Sequence, residues 1–374
     1  MSQSQKNIIA LLSIMACVLL VSLGYYIFSS YQSFAAQPLG PAMPISEQSL
    51  PPTWTASPGP HPGLVTYAPT IASYITSTPG PKCGGPNIMN ILVVGADTRG
   101  DNYTYGLADA IRVVRVDFVT PRVTVLEFPR DLWVEIPHIS DNLNGQDHEK
   151  LNQAYLYGQP GFKYWDDPSA GPGLLALTLN KNFGVQTEHY VSINMRTFEH
   201  IIDALGGIEV NITTEAAAES TDLSIGVHHL DGAGALKVAR NRQGGSFERA
   251  DNQNIVLCAL RKKLTSPNIV TQIPELIETF KDNIRTDFTP EQLSQLACLG
   301  TKLPPQSIVF TSFPQELFKQ TREFDPVFDK RISILDADFT ILSDYVRRFH
   351  AGTWPAPIIP ISTPDDENAP AVCE

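Results

Sequence analysis

Charged and uncharged positions divide this chain into two regimes. From Ile8 to Phe28 no charged residue interrupts the run, and at about 1.5 Å per helical residue its length matches a hydrocarbon core of roughly 30 Å. The run predicts a membrane helix over residues 8–28. Lys6 precedes it and no lysine or arginine follows before Lys82. By the positive-inside rule, residues 1–7 are then cytoplasmic and everything after the helix lies outside the cell membrane, a single-pass layout. A signal peptide cleaved after Ala35-Ala36 is the rival, but its apolar region usually spans only about 7–15 residues.

Beyond the helix the pattern becomes that of a folded domain between two Pro-rich stretches. Residues 29–86 are rich in Pro, Ser, Thr and Gly and predict a semi-extended linker. Residues 352–374 are Pro-rich again and carry the acidic run Asp365-Asp366-Glu367, which predicts a solvated tail. In the domain between them, residues 87–351, Asn90–Gly95, Ile111–Val119 and Arg122–Phe128 read as strands, the last two joined as a hairpin through Thr120-Pro121. Phe198, Ile201, Ile202 and Leu205 recur at helical spacing until Gly206-Gly207 stops them, and Ile208–Ile212 then alternates as a strand. Two further helices are predicted, Gln253–Leu264 and one beginning at Pro290 and reaching Leu299. The strands are apolar on both sides, so the expected class is α/β, a mixed central sheet covered by helices on both faces.

Charge narrows the chemistry. The formal net charge is −12, which opposes a general affinity for nucleic acid, because such binding needs Lys and Arg to neutralise phosphates. An anionic substrate would have to be held by a local basic cluster. Candidates are Arg130, which with Asp131 follows a predicted strand, Lys150 on the next segment, and Arg240, Arg242, Arg249 and Gln253 further on. Were 240–242 extended, Arg240 and Arg242 would project to the same side and grip one polyanion; the plainer alternative is a solvated cluster with Glu248 or Asp251. Asp97 after the first strand and Asp109 before the second suit a hard divalent cation, which takes one or two carboxylates plus substrate oxygens, or else they cap turns.

Taken in order, Asn90-Ile-Leu-Val-Val-Gly-Ala-Asp97-Thr-Arg99, Ala108-Asp109, Phe128-Pro-Arg130-Asp131, Lys150-Leu-Asn152 with Tyr155, Tyr190-Val-Ser-Ile-Asn194, Asp203 to Val210 and the Arg240, Arg242, Arg249, Gln253 series resemble the LytR-CpsA-Psr family of cell-wall glycopolymer transferases. The resemblance spans about residues 90–264, with weaker agreement to about 299. It implies transfer of a glycopolymer from a polyprenyl-pyrophosphate carrier to peptidoglycan. It further implies Mg²⁺ (or Mn²⁺) held by Asp97 and Asp109, a phosphate site of Arg99, Arg130, Lys150, Arg240, Arg242, Arg249 and Gln253, with Asp131 beside it, and a greasy groove for the polyprenyl chain. Phe198, Ile201, Ile202 and Leu205 would wall that groove or close an ordinary core. The chain departs from the family at Leu107 and Asn252, where arginine is usual; Arg112 or Arg115 are possible substitutes. Those losses keep two rival functions open, a polyprenyl-phosphate-binding wall scaffold without turnover and a hydrolase of the same donor.

Cys17 falls in the membrane helix, leaving Cys83, Cys258, Cys298 and Cys373 outside, where disulfides persist and three pairings exist. On helical wheels Cys258 and Cys298 both turn away from the apolar faces of their helices. This predicts Cys258 bonded to Cys298, with Cys83 bonded to Cys373 across the two ends of the domain.

Overall fold

The structure is a computed structural model that describes residues 28–44, 80–98, 106–140, 145–241, 246–266, 283–325, 329–356 and 371–373, with short helical pieces at 15, 21–26, 276 and 279–280. The membrane helix expected over Ile8–Phe28 lies mostly outside these residues; among them no helix is long and apolar enough to cross a membrane.

Seven strands form the central sheet, β1 (Ile88–Ala96), β2 (Ala108–Asp117), β3 (Arg122–Glu127), β6 (His189–Asn194), β9 (Ile284–Thr286), β10 (Ile308–Ser312) and β13 (Ala371–Val372), numbered in chain order with the hairpin strands given below. Their order is β13-β10-β3-β2-β1-β6-β9. The β1–β6 and β3–β10 pairs are parallel and the others antiparallel, so the sheet is mixed as expected. The β2–β3 hairpin turns where Asp117 Oδ1 accepts from the amides of Val119 and Thr120 at 3.0 and 2.8 Å.

Strand alternation sends one set of side chains to each face. Leu92, Val94, Ile111, Val113, Leu126 and Phe128 pack under α1 (Leu151–Tyr157), α2 (Ala170–Phe183) and α8 (Phe339–His350). On the opposite face Met89, Ile91 and Val116 meet Leu299 and Leu303 at the α7 (Pro290–Lys302) end, and Val125, Ile308 and Phe310 meet α6 (Ser246–Leu264). Helix α7 starts where the sequence placed it, with a capping box between Thr289 and Gln292. A lobe beside the sheet combines the hairpin β7 (Ile208–Ile212) and β8 (Gly226–Leu230) with α3 (Met195–Ala204), α4 (Glu215–Thr221), α5 (Gly232–Arg240) and α6 around Ile202, Ile208, Val210, Val238 and Val256. Gly206 and Gly207, with φ of 72° and 81°, turn the chain from α3 into β7. Two hairpins were not among the elements expected from the sequence: β4 (Trp133–Glu135) with β5 (His148–Lys150), and β11 (Phe318–Asp325) with β12 (Lys330–Ala337).

The disulfides correct the expected pairing. Cys83 bonds Cys298 and Cys258 bonds Cys373, rather than Cys258 with Cys298 and Cys83 with Cys373. The reason lies in α6, which is apolar on two sides: Val256 and Ala259 face the lobe while Leu257 and Cys258 face β3 and β10. A single helical stripe therefore misplaces Cys258. The chain end returns as β13 on the β10 edge, with Val309 opposite Val372, and brings Cys373 beneath α6. Cys298 instead meets the 3₁₀ turn Lys82–Gly84, where Gln295 Nε2 donates to Gly84 O at 3.1 Å. The stretch expected to be linker also docks in part: Leu39 N donates to Phe288 O at 2.9 Å and Met43 joins the core.

Candidate active site

The candidate site forms where β1, β2 and β3 end on one side of the sheet. Register shifts between Gly95 and Ala96 against β2, so the strands part and the chain leaves β1 toward Asp97. Backbone and side chain then clamp the departing loop. Asp97 N donates to Leu107 O at 3.0 Å, and Leu107 N donates to Asp97 Oδ1 at 2.7 Å. At position 107 it is thus the backbone that serves the site. Burial raises the Asp97 carboxyl above its ordinary range; the Leu107 amide opposes this, and the nearby charge of Asp109 adds to it.

Asp109, the second residue of β2, accepts from Arg130 Nη1. Arg130 follows β3, and its Nε donates to Asp131 Oδ2 at 3.4 Å. Lys150 Nζ, at the end of β5, reaches Asp131 Oδ1 at 2.9 Å. The main chain fixes this corner: Asn152 N donates to Arg130 O at 3.0 Å and Leu335 N to Asp131 O at 2.9 Å. Burial disfavours the Asp131 carboxylate, yet Lys150 and Arg130 outweigh it and hold the group below its usual range. Arg130 is likewise disfavoured by burial but raised overall by Asp109 and Asp131. The result is an alternating line of charge, Asp109, Arg130, Asp131, Lys150.

Asp109 also lines a cavity of about 170 Å³ that opens between the sheet and α3, α5 and α6 and does not include Arg130 among its lining residues. Val93, Gly95, Ala110, Phe198, Leu236, Val256 and Leu257 make it apolar, while Asp109, Arg112, Arg240, Arg249 and Gln253 give it charged and polar walls. Of the four residues proposed as groove wall, Phe198 lines it; Ile202 is fully buried in the lobe core. Arg240 is exposed at the last turn of α5, a helix and not the extended segment expected, because the apolar spacing of Ala235 and Val238 continues to its end. Arg99 and Arg242 lie outside the described residues.

The two departures from the family pattern acquire a physical account. Asn252 is buried and turned away from the cavity: its Nδ2 donates to Ser220 O at 2.9 Å and its Oδ1 accepts from Ser220 Oγ at 2.8 Å, tying α6 to α4. Arg112 enters the cavity wall from β2 instead. Its guanidinium donates to Gln253 Oε1, Glu127 Oε2 and Ala250 O at 3.1, 3.1 and 3.3 Å, and to Asn254 Oδ1 at 2.5 Å. Arg115 is spent elsewhere, on Asp117 and His350 O. The partners Glu127 and Asn254 were missed from sequence; the available signal for Glu127 was an acidic residue on β3 opposite Arg112 in the β2–β3 hairpin.

Two carboxylates whose charges reach one another, one of them destabilised as an anion by burial, fit the demands of a divalent cation that takes its remaining ligands from water and phosphate. Among the described residues there is no group of three or more His, Cys, Asp or Glu that would hold a metal without such help.

The polyisoprenyl-teichoic acid–peptidoglycan teichoic acid transferase TagU of Enterococcus faecalis is 30% identical over 214 residues, covering 56% of this chain and 64% of its own length. The regulatory protein MsrR of Staphylococcus aureus is 29% identical over 214 residues, covering 55% of this chain and 58% of its own length. The match thus spans less than two thirds of either relative. The crystal structure of Bacillus subtilis TagV shares the fold, with a TM-score of 0.53 at 22% identity over 71% of this chain and 96% of that one. The LytR_cpsA_psr family model matches residues 82–331, from the first disulfide turn into β12, and the chain belongs to that family.

Proposed function

We propose that this chain is a membrane-anchored phosphotransferase that moves a glycopolymer from a polyprenyl-pyrophosphate carrier onto peptidoglycan outside the cell, with Mg²⁺ or Mn²⁺ at Asp97 and Asp109. The observation that supports it most is the position of Asp109, which both lines the apolar cavity and accepts from Arg130 in the line of charge. A ligand with a greasy tail and a diphosphate head matches that junction. The printed name of the TagU relative, a transferase between polyisoprenyl-linked teichoic acid and peptidoglycan, accords with it.

In this reading the polyprenyl chain lies along Val93, Ala110, Phe198 and Val256, and Arg240 and Arg249 hold the phosphate that departs with it. Asp97 and Asp109 would hold a divalent cation, which would supply charge stabilisation to the pyrophosphate. An acceptor hydroxyl attacks the sugar-proximal phosphorus and its proton passes to solvent; a phosphodiester forms as the phosphoanhydride bond to polyprenyl phosphate breaks, and polyprenyl phosphate departs with that bridging oxygen. Arg130 and Lys150 offset the charge that develops on the transferred phosphoryl group. Asp131, pinned between these cations, orients them and is a weak proton acceptor.

Labelled polyprenyl-pyrophosphoryl saccharide incubated with the full chain, Mg²⁺ and peptidoglycan tests the proposal. Label recovered on peptidoglycan supports it. Release of free saccharide alone indicates hydrolysis, and retention without turnover indicates a binding scaffold; either outcome overturns it.

A further inference from the structure

The line of charge that starts at Asp109 ends on a face with the makings of a sugar site. In the β4–β5 hairpin Val134 and Glu149 point into the protein, whereas Trp133, Glu135, His148 and Lys150 project the other way. The Trp133 and His148 rings lie nearly parallel, their planes 27° apart and their centroids 6.5 Å apart. Charged groups surround this pair. Lys181 Nζ meets Glu135 Oε1 at 2.9 Å with both side chains well exposed, and Asp147 Oδ1 holds His148 Nδ1 at 2.6 Å. A pyranose ring offers C–H faces that stack on aromatic rings and hydroxyl edges that bond to carboxylates and ammonium groups, and this face presents both.

Its direction from the reacting centre identifies the sugar. Nucleophile and leaving oxygen stand roughly in line across a transferred phosphoryl group. A leaving group withdrawn along the cavity therefore requires the hydroxyl to enter from the opposite side of Asp109. From there Arg130, Asp131 and Lys150 lead to Trp133, which pairs with Lys150 across the hairpin. We propose that Trp133 and His148 form the acceptor subsite, stacking a sugar ring of the peptidoglycan glycan strand next to the one whose hydroxyl reacts. The proposal rests on the transferase reading for the direction of attack, and on the hairpin face alone for sugar recognition.

The test is a titration of the full chain in detergent with a soluble glycan-strand fragment of peptidoglycan, followed at the tryptophan indole N–H signals. It needs no turnover. The fragment is expected to shift the Trp133 signal. Trp133→Ala and His148→Ala should each weaken its binding about tenfold, while Trp133→Phe, which keeps an aromatic ring and the hairpin, retains most of it. Affinity for the polyprenyl-pyrophosphoryl saccharide should stay the same in all three, and in a transfer assay KM should rise for the acceptor alone. Fragment binding that ignores Trp133→Ala and His148→Ala overturns the proposal and leaves the rings as a cross-strand contact stiffening the hairpin. Weakened donor binding overturns it in favour of a donor-sugar site. A chain that transfers nothing counts against the transferase reading, whereas the indole response decides the sugar site.

Discussion

Arg112 of β2 donates to Gln253 Oε1 of α6 across 3.1 Å, and Gln253 Nε2 in turn donates to Ala239 O, one residue before Arg240, at 3.3 Å. A strand, a helix and the end of a second helix are thereby tied together at the cavity wall. The same guanidinium pairs with Glu127, both side chains being largely withdrawn from solvent.

Arg112→Met therefore acts first on stability. It leaves Glu127 buried with the charge of Arg249 favouring its anion and that of Asp251 opposing it. Breaking such a pair costs about 3 kcal/mol or more, and replacing both members by apolar residues recovers most of that. Urea unfolding of Arg112→Met and of the double variant Arg112→Met/Glu127→Met should show this loss and recovery. A double variant as unstable as the single one would show that the pair is not where the energy lies.

Asp97→Asn separates catalysis from folding. Asparagine keeps an oxygen for the Leu107 amide, and burial disfavours the Asp97 carboxylate, so removing its charge leaves the fold intact. Transfer should fall by about 10²-fold or more, the scale of losing one preorganised electrostatic contact, with an unchanged melting transition. Undiminished turnover would remove Asp97 from the site.

A second carboxylate pair sets a pH dependence. Glu149 and Asp325 are both fully buried beside Tyr157; burial first, and the Asp325 charge second, push the Glu149 carboxyl up to about 7. A folded-state value above the unfolded one means the protonated form favours folding. Its contribution is complete below the unfolded value of about 4.5 and is lost as pH rises through about 7, a change on the order of 2–3 kcal/mol. Unfolding free energy measured from pH 5 to 8 should decline accordingly. Glu149→Gln, neutral throughout, should flatten that decline.

How far the sequence could be read follows from which interactions are local. The strands β1 to β3, the α3 stop at Gly206-Gly207 and the α7 start at Thr289-Pro290 rest on neighbouring residues, and each stands within a few positions of its expected place. Helix α1 was illegible because all but one of its seven residues are buried, leaving no polar face to reveal a period. The β4–β5 hairpin has three-residue strands, too short to show alternation. At the site, Asp97, Asp109, Arg130, Asp131 and Lys150 were legible as ordered motifs. Arg112 was legible only as one of two possible substitutes, and its partners Glu127 and Asn254 were not legible, since their association joins residues up to 142 apart along the chain.

The disulfides give a direct check of topology. Peptide mapping without reductant should recover Cys83 with Cys298 and Cys258 with Cys373. Reduction should lower stability by about 2–4 kcal/mol for each bridge. Cys373→Ser should have a local consequence as well, because it removes the covalent hold on β13 and exposes the β10 edge to hydrogen exchange. A fragment joining Cys258 to Cys298 would contradict the placement of α6 on the sheet.

Asn252 offers the sharpest contrast between pattern and packing. The family usually has arginine there, so restoring it by Asn252→Arg looks like a route to higher activity. Yet the Asn252 side chain is 1% exposed and bonded to both Ser220 O and Ser220 Oγ on α4. A guanidinium at that point displaces an amide bonded to the hydroxyl and the carbonyl of Ser220, and several kcal/mol of desolvation oppose it. The α4–α6 contact must open to let it out. Asn252→Arg is therefore expected to lower unfolding free energy by about 2–4 kcal/mol and to leave transfer no faster than in the unaltered chain. Equal stability with faster transfer would show that the arginine reaches the phosphate site after all, and that Arg112 has not taken over its place beside Gln253.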